Sequence, residues 1–253
     1  MYILNKHVKW RKEKREIFIC NCKKLIDLKV ELGFENTLKK FEKGFSEEDL
    51  SKKDILLFKD LQKLRFLSKL SIRSIKEEEF SEAMSLLDRE LKGRVRTNEF
   101  LYKKFKIFHR FFIGIFIDKE IIGLICGFPR EDYLLISELA VDSRFRNRDY
   151  GRKLVESFEE RAKQKFKKIN VGALDNVTQF YEKLRYKPFI LIQLKNREYG
   201  EINLKKERIL KDYVSGDNHL IEIHSDNADM NKLKYLMKRY PNANIQYIFT
   251  KNI

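Results

Sequence analysis

The sequence contains little of what loop-rich or disulfide-bonded proteins need. Of its 253 residues, only three are proline, ten are glycine and three are cysteine. Scarce glycine and proline indicate helices and strands joined by short loops. The cysteines, Cys20, Cys22 and Cys126, are too few for a disulfide framework, so we expect a reducing, cytoplasmic environment.

Long uncharged apolar runs are also missing. No window of about 18 uncharged apolar residues occurs, so we expect no membrane-spanning helix. Residues 1–14 are charged and lack the apolar core of a secretory signal. We therefore expect a protein that does not enter a membrane.

Metal-ligating side chains are sparse and poorly spaced. Cys20 and Cys22 lie two residues apart, but no second pair exists to complete a zinc site. The four histidines, His7, His109, His219 and His224, show no metal-binding spacing. We expect no metal, and we interpret the paired cysteines as small buried side chains.

Positive charge, by contrast, is in excess. Lysine and arginine number 54 against 38 aspartates and glutamates, which gives a net charge of +16. Such a field attracts polyanions, including nucleic acid, anionic lipid or a phosphorylated cofactor, although a basic surface without such a partner fits the same composition. The 43% of hydrophobic residues suffices for a core, and the length indicates one or two domains.

Three segments differ in their patterns. Residues 1–68 show two short alternating strands followed by three helical runs, which predicts a small α+β module. Residues 69–199 predict a mixed α/β domain whose central sheet is mostly antiparallel and flanked by helices. Residues 200–253 end in strand, helix and strand, an extension that completes the sheet, covers its edge or pairs with a second chain.

The most informative stretch is a strand that ends at Val141, followed by a basic loop and an amphipathic helix over residues 150–166. Backbone N–H groups at a helix start lack helical partners, and the helix dipole favours an anion there. Four arginines add positive charge around this point: Arg144, Arg146, Arg148 and Arg152. The pattern predicts a site for a pyrophosphate.

This stretch resembles the signature of the GCN5-related N-acetyltransferase (GNAT) superfamily, which reads Arg or Gln, two residues, Gly, one residue, then Gly or Ala. Arg146, Asp149 and Gly151 occupy those positions. Residues 176–188 are similar to a second family element. The resemblance covers roughly half the chain and implies the GNAT fold, with acetyl-coenzyme A (acetyl-CoA) as cosubstrate and an amine as acceptor.

The resemblance also implies how acetyl-CoA is held. In the family, the loop amides bind the coenzyme pyrophosphate, the preceding strand pairs with the pantetheine arm, and a residue near the second motif contacts that arm. The implied cofactor-binding residues are Leu139, Ala140, Val141, Arg146, Asn147, Arg148, Asp149, Tyr150, Gly151, Arg152 and Asn176.

Direct transfer from a thioester needs a base for the amine and an acid for the leaving thiolate. The resemblance implies Tyr181 as the acid, and a packed aromatic is the alternative. Glu138, just before the pantetheine-pairing stretch, is the first candidate base, with an ion-paired carboxylate as its alternative. Glu131 and Asp132 are further candidates, and many family members use a water relay instead.

Two residues depart from the family pattern. Asp149 replaces the usual first glycine; aspartate tolerates a left-handed backbone and can cap a helix, but its charge opposes a pyrophosphate. Arg185 replaces the glycine that usually precedes the final aromatic. A coenzyme-responsive regulator without turnover and a protein-interaction scaffold are therefore the alternatives to an enzyme.

The N-terminal module has a resemblance of its own. Residues 18–28, 41–50 and 58–67 are similar to a winged helix and to the small peptide-chaperone domain of pyrroloquinoline quinone biosynthesis. This resemblance implies a module that presents a peptide or protein substrate by adding a strand to a sheet edge. DNA binding through lysines such as Lys39 and Lys53 is one alternative, and a structural or dimerising appendage is another.

The sequence leaves the acceptor open. In the superfamily, variable loops and the first two helices build the acceptor cleft, which corresponds here to residues 81–108. Their mixed charges select no single acceptor among small molecules, peptides and proteins. A homodimer is an equally open expectation.

Overall fold

The computed structural model describes residues 1–14, 16–173, 177–195, 204 and 207–253. These residues form two compact units. The first contains Met1–Ile125 and Leu139–Ser157, and the second contains Cys126–Glu138 and Phe158–Ile253.

Strands and helices alternate irregularly along the described residues. The strands are β1 (Tyr2–Leu4), β2 (Val8–Glu13), β3 (Glu16–Asn21), β4 (Ile26–Glu31), β5 (Leu67–Ser74), β6 (Phe112–Ile117), β7 (Glu120–Pro129), β8 (Leu134–Val141), β9 (Lys168–Gly172), β10 (Lys187–Lys195), β11 (Ile209–Ser215), β12 (Asn218–His224) and β13 (Ala243–Asn252). The α-helices are α1 (Glu35–Lys43), α2 (Lys52–Lys63), α3 (Phe80–Glu90), α4 (Asn98–Phe108), α5 (Tyr150–Ala162), α6 (Thr178–Lys183) and α7 (Met230–Arg239).

The N-terminal part of the first unit has its own sheet and core. β2, β3 and β4 form an antiparallel sheet, and one face of β3 is fully buried through Ile17 and Ile19. These side chains belong to a cluster that includes Leu38 and Phe41 of α1 and Leu61 of α2. The apolar stripes of both helices are therefore buried against the sheet, as amphipathic helices require.

The same region corrects two predictions. β1 and β2 precede the two predicted strands, and the second of the three predicted helical runs is a single 3-10 turn, Glu47–Asp49. The Asp49 carboxylate accepts the Ser46 N–H at 3.3 Å, which closes this turn locally. β2 was missed because only Val8 and Trp10 are apolar among its six residues.

β1 also joins the strand pairing of the larger sheet. Tyr2 pairs opposite Lys69 of β5, and β5 pairs in turn with β6 from Leu70 to Ser74, both antiparallel. α4 follows α3 and begins at Thr97, whose hydroxyl accepts the Phe100 N–H at 3.2 Å. A capping hydroxyl of this kind satisfies one of the free N–H groups of the first turn.

The strands of the second unit pair in the order β8, β9, β13, β10, β12, β11, where β8 contributes its residues up to Glu138. β8 pairs in parallel with β9 over Leu134–Ile136, and the other neighbours are antiparallel. β13 thus lies between β9 and β10. Of the three expectations for the C-terminal segment, the structure shows that it completes the sheet, and the predicted α+β class with a mixed, mostly antiparallel sheet is confirmed.

Two further differences from the sequence predictions lie in this part of the chain. α5 ends at Ala162, because the N–H groups of Lys165 and Phe166 both donate to the Ala162 carbonyl at 2.9 Å and turn the chain. β11 was not predicted, because all seven of its residues are exposed and no buried face marks it. β11 turns into β12 through Gly216, which has a φ of 59°.

Several expected absences concern only the described residues. None of their helices is long and apolar enough to cross a membrane. Within the same ranges, no group of three or more His, Cys, Asp and Glu side chains is placed to hold a metal ion. Cys20, Cys22 and Cys126 are free cysteines, but Cys22 is exposed and Cys20 is half-buried, so the interpretation of this pair as buried side chains is wrong.

Arg185 explains why the family pattern has a glycine after α6. Its φ is 66°, in the left-handed region. The Tyr186 N–H donates to the Tyr181 carbonyl at 3.0 Å and the Arg185 N–H to the Glu182 carbonyl at 2.8 Å. This is the Schellman ending of a helix, in which the left-handed position favours glycine.

We expect Arg185→Gly to raise the free energy of unfolding by about 0.5–1 kcal/mol, since the left-handed strain that it removes outweighs the unfolded-state entropy that glycine adds. Urea unfolding measures this. Arg185→Ala is the control, because alanine keeps the strain while losing the side chain. Equal stability of the glycine and alanine variants would contradict the backbone explanation.

Candidate functional site

The loop after β8 is shaped by one carboxylate and two left-handed residues, all in the first unit. The Asp142 side chain accepts the backbone N–H of Arg144 at 2.9 Å and starts the 3-10 turn Ser143–Phe145. Asn147 and Asp149 then both have a φ of 62°. Asp149 therefore adopts the glycine-like conformation that the sequence suggested it would tolerate.

The start of α5 presents its backbone donors as expected. The Lys153 N–H donates to the Asp149 carbonyl at 3.0 Å, the first bond of the helix. The N–H groups of Tyr150, Gly151 and Arg152 therefore precede the first intrahelical donor, and an anion is favoured there by both hydrogen bonding and the helix dipole.

Asp142 gathers two arginines around a buried carboxylate. Its side chain is 1% exposed and accepts from Arg144 Nε at 2.9 Å, Arg144 Nη2 at 2.7 Å and Arg89 Nη2 at 2.9 Å. Hydrogen bonding from Arg144, followed by the charges of both arginines, lowers the pKa of Asp142 to about 2 despite burial. Arg144 also bonds Glu120 at 2.9 Å, so it is already paired within the protein.

The signature arginine is also paired with other groups of the chain. Arg146 Nη2 donates to Glu90 Oε2 at 2.8 Å, and Arg146 Nε donates to the Val141 carbonyl at 3.2 Å. The Glu90 side chain is only 5% exposed and bonds Arg89 Nε at 3.3 Å as well. Arg146 therefore braces the loop against the end of α3, and two of the four predicted arginines are engaged in internal ion pairs.

Other cations remain near the start of α5. Arg152 is exposed, and the half-buried Arg148 guanidinium lies 5.8 Å from the centre of the Phe145 ring. Tyr150 is buried, and desolvation raises the pKa of its hydroxyl to about 12, partly offset by Arg148. The free N–H groups and these cations fit a pyrophosphate, whereas the exposed Asp149 carboxylate is the one group here that opposes it.

The two candidate catalytic side chains belong to the second unit. Glu138 lies on the buried face of β8, 8% exposed, and Tyr181 on α6 is 4% exposed. Burial, and then the negative charge of Glu138, raises the pKa of Tyr181. The structure therefore brings these two predicted groups near enough for the charge of Glu138 to act on the Tyr181 hydroxyl.

Tyr181 is held in an aromatic cluster. Its ring centre lies 5.7 Å from the rings of both Tyr186 and Phe249. Behind Tyr186, Lys251 of β13 donates to both carboxylate oxygens of Glu159, at 2.9 and 2.8 Å. The C-terminal strand thus supports the tyrosine through Phe249 and anchors its neighbourhood through Lys251.

The remaining predicted residues differ in their placement. Leu139, Ala140 and Val141 end β8, with Ala140 buried and the other two half-buried. Asn176 lies outside the described residues. Asp132 pairs with Lys168 at 3.1 Å, which lowers its pKa and makes it a poor general base near neutral pH.

Sequence reasoning missed Arg89, Glu90 and Asp142. Asp142 carried a local signal, because a carboxylate directly after a strand and before a basic loop is a natural cap. Arg89 and Glu90 carried none, since only the folded chain brings the end of α3 to the loop.

Comparison with known proteins agrees with this geometry. Residues 72–186 match the model of the acetyltransferase (GNAT) family. This range contains the loop after β8, Glu138 and Tyr181. Residues 72–186 therefore form a GNAT domain, and its general chemistry is acyl transfer.

Solved structures that are similar to the chain include the following three. Ard1 of Thermoplasma volcanium is 18% identical with a TM-score of 0.45, covering 62% of this chain and 98% of that one. Arabidopsis thaliana Naa50, in complex with a bisubstrate analogue, is 16% identical with a TM-score of 0.43 and the same coverage of 62% and 98%.

The ribosomal-protein-S18-alanine N-acetyltransferase of Escherichia coli is 12% identical with a TM-score of 0.43, covering 64% of this chain and 98% of its own. Likenesses at these scores add no argument beyond the family match. Among curated proteins, no sequence matches the chain.

The depressed pKa of Asp142 links stability to acid. Since its folded pKa is about 2 against an ordinary 3.8, the stabilisation is complete above pH 4 and is lost as the pH falls towards 2. We expect Asp142→Asn to lose about 1–2 kcal/mol at pH 7, after discounting for its exposed arginine partners. The deficit should shrink between pH 4 and pH 2.

Urea unfolding at pH 7, 4 and 2.5 measures this difference. Glu120→Gln is the control, because its carboxylate is 34% exposed and should contribute less. An Asp142→Asn deficit that stays constant with pH would show that the carboxylate charge does not stabilise the loop.

Proposed function

We propose that this protein is an N-acetyltransferase that moves an acetyl group from acetyl-CoA to an amine of a small molecule, peptide or protein. The family match over residues 72–186 carries this proposal, because the loop inside it offers the free donors that the coenzyme pyrophosphate requires. The acceptor amine attacks the acetyl thioester directly, and the coenzyme leaves as a thiol.

The coenzyme-binding residues have distinct roles in this proposal. The N–H groups of Tyr150, Gly151 and Arg152 hold the pyrophosphate, and Arg148 adds charge. The backbone of residues 139–141 and Asn176 hold the pantetheine arm. Arg146 acts indirectly, since its contacts with Glu90 and Val141 support a role in fixing the loop.

Glu138 is the proposed base and Tyr181 the proposed acid. Because burial and Glu138 raise the pKa of Tyr181 above its ordinary 10.0, the phenol is protonated at neutral pH and can donate to the leaving sulfur. A thiol has a pKa of about 8.5, so full proton transfer from the phenol is uphill. Tyr181 therefore assists as an acid by donating a hydrogen bond to the developing thiolate, and the proton that the thiol gains is the one that the attacking amine loses.

The pH dependence of kcat tests this role. We expect Tyr181→Phe to lower kcat about 10- to 100-fold with little change in KM, because the lost donor acts mainly on the developing charge. Wild-type kcat should show no alkaline decline up to about pH 10, because the phenol keeps its proton. Release of free thiol measures the rate, and unchanged turnover of Tyr181→Phe would remove the acid assignment.

Thermal unfolding with and without acetyl-CoA tests the cofactor site. At a hundredfold excess over the dissociation constant, a specific ligand adds about 2.7 kcal/mol to the free energy of unfolding. We expect this gain to disappear in Gly151→Glu, which places a carboxylate at the helix start, and in Arg146→Ala, which frees the loop.

Lys165→Glu is the matched charge control, since it lies in the turn after α5 and should keep the full shift. A wild-type protein that shows no shift at millimolar acetyl-CoA would refute the proposal.

A coenzyme-responsive regulator is the second candidate function, because the Asp149 carboxylate lies at the start of α5. A regulator would bind the coenzyme without turnover and would bind duplex DNA in a sequence-specific, salt-dependent way.

The finer expectations stay proposals of the same kind. These are the division into residues 1–68, 69–199 and 200–253, a cytoplasmic location, which rests on the sparse cysteines, and substrate presentation by the N-terminal module. Nucleic-acid binding and a homodimer are further predictions that depend on composition and on the open roles of the terminal segments.

A further inference from the structure

The N-terminal module contacts the loop after β8 through Lys43, the last residue of α1. Lys153, in the first turn of α5, donates from Nζ to the backbone carbonyl of Lys43 at 2.9 Å. In return, Lys43 Nζ lies 3.8 Å from Asp149 Oδ2. The last residue of α1 is therefore in contact with both the loop and the helix that follows it.

The backbone at the end of α1, from which the Lys43 side chain extends, is held in place by its neighbours. Gly44 has a φ of 87°, and a Cβ there would lie 2.6 Å from Leu70 Cδ2 and 3.5 Å from Lys153 Nζ. Phe45 and Tyr2 then exchange two backbone hydrogen bonds, at 2.8 and 2.9 Å. The end of α1 is thus tied to β1, which pairs with β5, and a side chain at position 44 would be strained and would collide with Leu70.

The charge of the loop needs a cation at this place. Asp149 stands where the family has glycine, and its carboxylate is 53% exposed at the start of α5. Arg144 and Arg146 offset it less than their charges suggest, because their guanidinium groups, although more than half exposed, are paired with Asp142, Glu120 and Glu90. Without a further cation, Asp149, the three paired carboxylates and a pyrophosphate would all compete for the same positive groups.

Lys153 is poorly placed to neutralise Asp149. It is half-buried, burial lowers its pKa, and its ammonium donates to the Lys43 carbonyl. Lys43 differs in that its side chain is 61% exposed, so its ammonium can bind a solvent-borne anion beside Asp149. A lysine ammonium has three donors and can contact a carboxylate and a phosphate oxygen together.

We infer that Lys43 is a phosphate-binding residue of the coenzyme site, supplied by the N-terminal module. It binds the pyrophosphate and neutralises Asp149, so the Lys43–Asp149 pair takes the place of the family glycine. The inference rests on the proposed function, because the ligand is coenzyme A. It makes the N-terminal module part of the binding site.

Calorimetric titration of the full chain with coenzyme A tests the inference. We expect Lys43→Ala to weaken binding about tenfold, the usual effect of losing one charge-assisted phosphate contact, and Lys43→Arg to restore most of it. Lys39→Ala is the matched control: it removes the same charge from the same helix, but Lys39 pairs with Glu35 at 2.7 Å. It should bind like the wild type, and an equal loss in both variants would indicate only general attraction.

The Asp149→Gly background separates contact from neutralisation. If Lys43 touches the phosphate, Lys43→Ala still weakens binding severalfold when Asp149 is glycine. If the effect vanishes there, Lys43 only cancels the aspartate and the inference is overturned. Dephospho-coenzyme A, which keeps the pyrophosphate, should show the same loss as coenzyme A, and a loss confined to coenzyme A would overturn the pyrophosphate assignment.

The two proposals fail differently. Wild-type protein that binds no coenzyme A overturns the proposed function and this inference together. Wild-type binding with an unchanged Lys43→Ala affinity overturns the role of Lys43 alone. Thermal unfolding of each variant without ligand verifies that the exposed substitution leaves the fold intact.

Discussion

The buried carboxylate of Asp142 is the constraint on which the loop depends. A charge that is 1% exposed must be paired, and Asp142 meets this need with Arg144 and Arg89 together. These bonds fix the chain as it leaves β8 and set where α5 begins. Glu90, another buried carboxylate, pairs with Arg146, so the end of α3 and the loop are held together.

This pairing changes how the positive charge of the chain should be understood. The sequence has 16 more cationic than anionic side chains, yet the arginines closest to the loop bond to internal carboxylates. An anion at the start of α5 therefore encounters backbone donors and a few outward cations. Counting arginines in a motif overstates the charge available to a ligand, because burial of one carboxylate requires the guanidinium groups around it.

Strongly periodic segments were predictable from sequence, and partner-dependent segments were not. Local sequence alone identifies the apolar stripes of α3 to α5 and the uniformly apolar strands β6 and β7. β1 has three residues and β11 has no buried face, so only their partners make them strands. The loop was predictable because its signature is contiguous, whereas Glu90 lies 56 residues before Arg146 and no local pattern connects them.

The position of β13 has a consequence for how the chain folds during synthesis. β13 pairs with both β9 and β10, although it follows them by several elements, including a hairpin and a helix. While the ribosome makes those intervening residues, β9 and β10 have no shared neighbour, and their edges are open to incorrect pairing. The second unit therefore acquires its native strand order only after translation has passed residue 252.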